Sequence, residues 1–158
     1  MCERRAMNRW LGLGLVLAAA LVTARVAWPS ATLKEPGVIH VTGRQTQATR
    51  IDVGRRGLSP GDEEISAELL YNKGITAKAI GHGQLICVYT TGRFRQCSGS
   101  YVLPAGKLVV SGIVVYRGLY DLVVVGGTGL YENVRGTLTV TQLDPSPKLD
   151  LLLFRLQV

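Results

Sequence analysis

From Gly37 onward, clusters of turn-forming residues cut the chain at seven places, and every segment between the cuts is rich in Val, Ile, Leu, Thr or Tyr. The cuts are Gly57-Leu58-Ser59-Pro60-Gly61, Asn72-Lys73-Gly74, Thr91-Gly92, Pro104-Ala105-Gly106, Arg117-Gly118, the glycines Gly126, Gly127 and Gly129, and Asp144-Pro145-Ser146-Pro147. Gly and Pro at this density punctuate strands. The segments left are Val38–Val53, Asp62–Asn72, Thr76–Thr91, Phe94–Leu103, Lys107–Tyr116, Tyr120–Val125, Val134–Leu143 and Lys148–Gln157. Glu63–Leu70 has helical propensity, but its alternation and its place in the series assign it to a strand. Eight strands joined by short turns predict an all-β protein, an eight-stranded antiparallel up-and-down barrel over residues 37–158. Closure removes the sheet edges that so apolar a chain would otherwise expose. A two-sheet sandwich is the competing arrangement.

The first 24 residues have a different character. Arg4, Arg5 and Arg9 precede an apolar run from Trp10 to Ala24 that falls short of the ~20 residues of a membrane-spanning helix. The pattern fits a secretory signal with small residues at Val22-Thr23-Ala24, or an uncleaved anchor. Residues 25–36, broken by Pro29 and Pro36, read as a linker. Without residues 1–24 the formal charge falls from +7 to +5. Lys and Arg form no long run, so nucleic acid is not an expected partner, and any membrane contact is expected through the N-terminal segment.

Cys87 and Cys97 are equally spaced about Gly92. If Thr91-Gly92-Arg93 is a hairpin tip, they face each other across two strands and can form a disulfide in an oxidising compartment. Two half-buried thiols are the alternative. No cysteine or histidine lies at zinc-ligand spacing, and His40 and His82 are far apart. No metal or cofactor is implied, and the expected location is outside the cytoplasm.

Four glycines crowd Val123–Val140. Glycine takes positive φ without penalty, so Gly126, Gly127 and Gly129 are expected to form the reversal between strands six and seven, with Gly136 bending strand seven along the barrel wall. Tyr131 reads as an aromatic plug beside that turn. A nucleotide-loop reading fails, because the final glycine is missing and no helix follows.

The block GGTGLYENVRGTLTV resembles the GGTGxFxxARG block of plant dirigent proteins and the GGAGxFxGAxG block of allene oxide cyclases. Leu58–Tyr71, Ile75-Thr76-Ala77 and Lys148-Leu149 are similar to further cyclase segments, so the resemblance spans roughly residues 50–158. It implies a barrel with an apolar cavity and steered ring closure or coupling, as in similar bacterial polyketide and spirotetronate cyclases. It also implies assembly as a homodimer or homotrimer through apolar outer faces.

Strand phase decides which residues line that cavity. Patterning alone would put Ile65, Ala67 and Leu69 inside. The resemblance instead turns Glu68 inward with Ser66, and matches Asp52 to a second cavity position, making Glu68 and Asp52 the candidate acid–base residues. It likewise places Lys78, Ile80 and His82 on the inner face of strand three, with Val114 of strand five as a further substrate-binding residue. Arg50 and Ile80 stand where the cyclases have Glu and Cys, which separates this chain from allene oxide cyclisation itself. Two functions follow: a cofactor-independent cyclase or isomerase folding a hydrophobic, polyketide-like substrate, or an exported, non-catalytic small-molecule-binding or dirigent-like barrel.

Overall fold

The computed structural model describes residues 37–72, 78–91, 93–115, 118–146 and 148–157. The signal or anchor and the linker lie outside the described residues. Eight strands form: β1 (Val38–Ile51), β2 (Glu63–Tyr71), β3 (Gly81–Tyr89), β4 (Phe94–Leu103), β5 (Gly106–Val115), β6 (Leu119–Gly129), β7 (Arg135–Pro145) and β8 (Lys148–Gln157). Each pairs antiparallel with its sequence neighbour, and β1 also pairs with β8, so the sheet closes into one barrel. The sandwich is excluded, and Glu63–Leu70 is a strand paired on both sides.

Alternate positions fill the lumen. Leu70, Leu108, Val110, Val124, Leu138 and Phe154 have no accessible surface. Tyr101 meets Phe154 edge to face, with centroids 5.4 Å apart. The outer wall keeps apolar residues too: Ile113, Leu119 and Val123 are each more than half exposed.

One expectation about the glycine-rich block needs correction. Gly126 and Gly127 are strand residues, because β6 continues to Gly129. The reversal follows, at Leu130–Val134, with Asn133 at φ 65°. Gly136 lies on β7 at φ 155°, where a Cβ would collide with the Arg155 carbonyl.

The barrel has two ends of unlike chemistry. The β4–β5 and β6–β7 connections close one, here called the glycine end, where β2 also ends and β3 begins. The 52–62 loop, the β3–β4 hairpin and the β7–β8 turn close the other, the charged end. The long loop folds around Asp62, which is fully buried. Its carboxylate accepts from the backbone N–H groups of Val53 and Ser59 (both 2.9 Å), from the Ser59 hydroxyl (3.1 Å) and from Arg50 (2.8 Å). These bonds, the two backbone donors first, hold its pKa far below the usual carboxylate range. A depressed carboxylate contributes stability that is complete above its unfolded pKa, ~3.9, and is lost as the pH falls below it. Asp62→Asn is therefore expected to weaken the fold at pH 7 in urea titrations and to flatten the loss of stability below pH ~4. It should also speed tryptic cleavage at the exposed Arg55 and Arg56. An unchanged midpoint and cleavage rate would rule out this anchoring role.

Candidate functional site

Cross-strand partners share a face of the sheet, so register fixes what Glu68 meets. Glu68 lies opposite Gln45 on β1 and Gly83 on β3. A Cβ on Gly43 would strike Glu68 Oε2, and one on Gly83 would come within 2.7 Å of the Tyr101 ring and 3.1 Å of Glu68 Cγ. The two glycines thus leave a slot in the barrel wall that the Glu68 carboxyl and the Tyr101 ring occupy. This is the physical reason that β2 turns its acidic face inward: the neighbouring strands supply no bulk there, and Leu70 completes the inner face with no exposed surface.

Glu68 shares a small chamber with Gln45, Ser66, Tyr101, Tyr120, Lys148 and Asp150. Burial pushes its pKa up to about 7, aided by the nearby Asp150 charge, while the Tyr101 hydrogen bond and the Lys148 ammonium pull downward. Burial also raises Asp150, with Lys148 opposing. Tyr101, 1% exposed, is raised well above the ordinary phenol value by burial and then by the Glu68 charge, so it remains a donor to that carboxylate. A second chamber beside the first is lined by Ser66, Val114, Tyr120, Lys148, the Glu64–Arg95 ion pair and the Cys87–Cys97 disulfide. Each chamber measures about 20 Å³, room for one water. The lumen at the charged end is therefore polar and nearly full. Arg95 and Arg50 flank the ring of Tyr89, at 5.5 and 5.9 Å from its centroid, and the Tyr89 hydroxyl donates to Glu64.

The candidate residues fare unequally. Ser66 and Val114 line the chambers with Glu68. Cys87 and Cys97 are directly opposite each other, Cα atoms 4.0 Å apart, and bonded inside the lumen. Asp52 is not in the lumen. Asp62 draws the chain aside at Val53, β1 stops at Ile51, and Asp52 is an exposed loop residue accepting from Gly57 N–H at 3.4 Å. His82 is also exposed, on the outer face, because inward Glu68 forces its partner Gly83 inward and puts His82 outside. Lys78 is exposed ahead of β3, and the cation lining the Glu68 chamber is Lys148. Ile80 packs against the core at the glycine end, away from Glu68.

Tyr101, Tyr120, Lys148 and Asp150 were not anticipated. For Tyr101 a signal exists: it stands four residues beyond Cys97, so an inward disulfide carries it inward as well. On β8, leucines occupy both faces and erase the alternation that would mark Asp150.

The two glycines separate fold from site. Gly83→Ala presses on a buried ring and is expected to cost about 1–3 kcal/mol in chemical denaturation. Gly43→Ala meets chiefly the end of a flexible carboxyl, with Leu152 Cδ1 at a looser 3.3 Å, so it should displace Glu68 and lower the Glu68 pKa, read by carbon NMR, with a smaller loss of stability. Equal losses in both variants would contradict the slot.

No protein-family model matches the chain, and no curated protein is similar to it in sequence. Solved structures share its fold. A pyocyanin demethylase is 22% identical over 76% of this chain and 99% of its own, with a TM-score of 0.66. The pterocarpan synthase dirigent protein GePTS1 is 13% identical over 87% and 98%, TM-score 0.60. The Diels Alderase AbmU from Streptomyces koyangensis is 15% identical over 75% of this chain and 63% of its own, TM-score 0.61. The chain thus shares its barrel fold with these proteins.

Proposed function

We propose that this protein is a cofactor-independent cyclase or isomerase whose proton carrier is Glu68. The observation that supports it is a lumenal carboxyl with a pKa near 7, held between Tyr101 and Asp150. Such a group exists in both protonation states at neutral pH and can take a proton from one position of a substrate and return it at another. Tyr101 and Lys148 are placed to stabilise an oxyanion that develops beside it. Wall side chains that hold the reacting ends together contribute in the same way. The substrate class is a hydrophobic linear molecule, and it reaches Glu68 from the charged end by displacing Gln45 and Lys148, the long side chains of that chamber. Residues 1–24 act as the export signal or anchor.

The test is a panel of linear polyketide-like and polyene compounds, analysed for products of unchanged mass and altered retention. Ring-closed isomers formed by the native protein and lost with Glu68→Gln are expected. Isomers formed equally by both proteins would show that the carboxyl carries no proton. One observation favours a second reading, a non-catalytic exported barrel with a filled lumen: the chambers beside Glu68 are each the size of one water. Absence of any isomer from the panel, with no compound perturbing the Glu68 carboxyl resonance, is the result that reading expects.

A further inference from the structure

We infer that the glycine end of the barrel carries a separate binding site for a neutral, largely apolar small molecule. Strand ends there surround a cavity of about 390 Å³. Small-molecule sites measure ~300–1,000 Å³, and the chambers beside Glu68 are far below that range. Fully buried side chains, among them Leu70 and Phe154, fill the lumen between the two regions.

The cavity is built on rigid parts. Val41 and Leu103, 2% and 5% exposed, belong to the barrel core, and Ile39, Ile80 and Ala105 pack against that core. Tyr131 forms a further part of the wall, and the glycine-rich block explains its position. A Cβ on Gly127 would lie 2.7 Å from Tyr131 Cβ, and one on Gly106 would lie 3.2 Å from the Tyr131 ring. The Tyr131 side chain therefore lies against bare backbone, its Cβ at Gly127 and its ring at Gly106. Leu130 N–H donates to the Ala105 carbonyl at 2.9 Å and ties the two turns together. The glycines that most distinguish this sequence thus shape a wall of the cavity and are remote from the charged chamber.

Chemistry selects the occupant. Among the described lining residues there is no carboxylate, ammonium or guanidinium. The polar side chains are those of Asn72 and Tyr131, while His40 borders the cavity only through its backbone, because Ile39 and Val41 are the inward residues of β1. An ionised ligand would lose water with no opposite charge to replace it. A neutral molecule keeps its apolar body on Val41, Ile80 and Leu103 and directs one hydroxyl or carbonyl to Asn72 or Tyr131.

The test uses the full chain at pH 8, the neutral fluorophore N-phenyl-1-naphthylamine, and its anionic relative 1-anilinonaphthalene-8-sulfonate. Saturable one-to-one binding of the neutral probe is expected, with the anion at least about 10-fold weaker. Ala105→Trp and Ile80→Trp each fill the cavity and should weaken the neutral probe by about 10-fold or more, with circular dichroism and the disulfide confirming the fold of each variant. Glu68→Gln should leave its affinity unchanged. No saturable binding, equal affinity for the anion, or native affinity in both tryptophan variants would overturn the site. So would loss of binding in Glu68→Gln, which would move the probe to the charged chamber. A change in particle mass by light scattering in the tryptophan variants, without probe binding, would identify a contact between copies instead.

Discussion

Glu68→Gln is expected to produce a protein that is more stable at pH 8 and catalytically disabled. The ionised carboxyl is costly where it sits. A folded pKa near 7 against an ordinary 4.5 corresponds to about 3 kcal/mol of stability withheld once the group is charged. The sign follows from the direction of the shift. Below pH ~4.5 the carboxyl is protonated in folded and unfolded chains alike, and there is no penalty. Between ~4.5 and 7 the folded state holds the extra proton, so stability falls as the pH rises, and above 7 the full penalty applies. Glutamine keeps the shape and removes the charge. Urea titrations should show a gain of about 1–3 kcal/mol at pH 8, none at pH 4, and a flatter curve between. Turnover of the substrate found by the isomer assay should fall about 10²–10⁴-fold. A native protein whose stability does not decline between pH 5 and 8 would contradict the buried, ionising carboxyl. Stability gained without activity lost would leave Glu68 as a burdensome wall residue only.

The architecture was legible because turn chemistry is local. Gly, Pro, Asn and Asp act on the dihedrals of their own neighbourhood, so eight strands and their order could be read from spacing. The Cys87–Cys97 pairing was legible for the same reason, since a tight hairpin makes register a matter of counting. Which face of each strand points inward depends on the partner strand, and there local reading failed. Placing Glu68 and His82 inside together is impossible in this register, because Glu68 faces Gly83. The β2–β3 connection is too long for its geometry to be counted, so the error of one residue could not be seen in the sequence. Asp52 was misplaced by a different long-range effect. The carboxylate of Asp62, ten residues later, captures Val53 N–H and ends the strand. Lys148 and Asp150 escaped because closure of the barrel brings β8 alongside β1, and only a complete ring puts them beside Glu68. The acid–base chamber is thus assembled from strands far apart in the chain, and its members share no motif.

The disulfide should matter as much to the fold as Glu68 does to the chemistry. Cys87 and Cys97 are 4% and 1% exposed, and their bond forms part of the wall of the second chamber at the charged end. It closes a loop of sequence separation 10, for which loop-closure entropy gives about 3 kcal/mol. Replacing both residues by serine adds a second cost, since two hydroxyls are then buried beside Val114 and Leu85, at ~1–3 kcal/mol for each that finds no partner. The double variant should therefore lose at least about 3 kcal/mol in urea titrations and about 10 °C or more in melting temperature. The native protein with its disulfide reduced should lose only the loop term, because buried thiols behave as small apolar groups. The difference between the two losses measures the hydroxyl burial by itself. Reduction should also be slow under native conditions, because the sulfurs are covered until the hairpin opens, and urea below the unfolding midpoint should accelerate it. Rapid reduction of the folded protein, or a double serine variant as stable as the native chain, would show that the bond is neither enclosed in the lumen nor needed to hold β3 against β4.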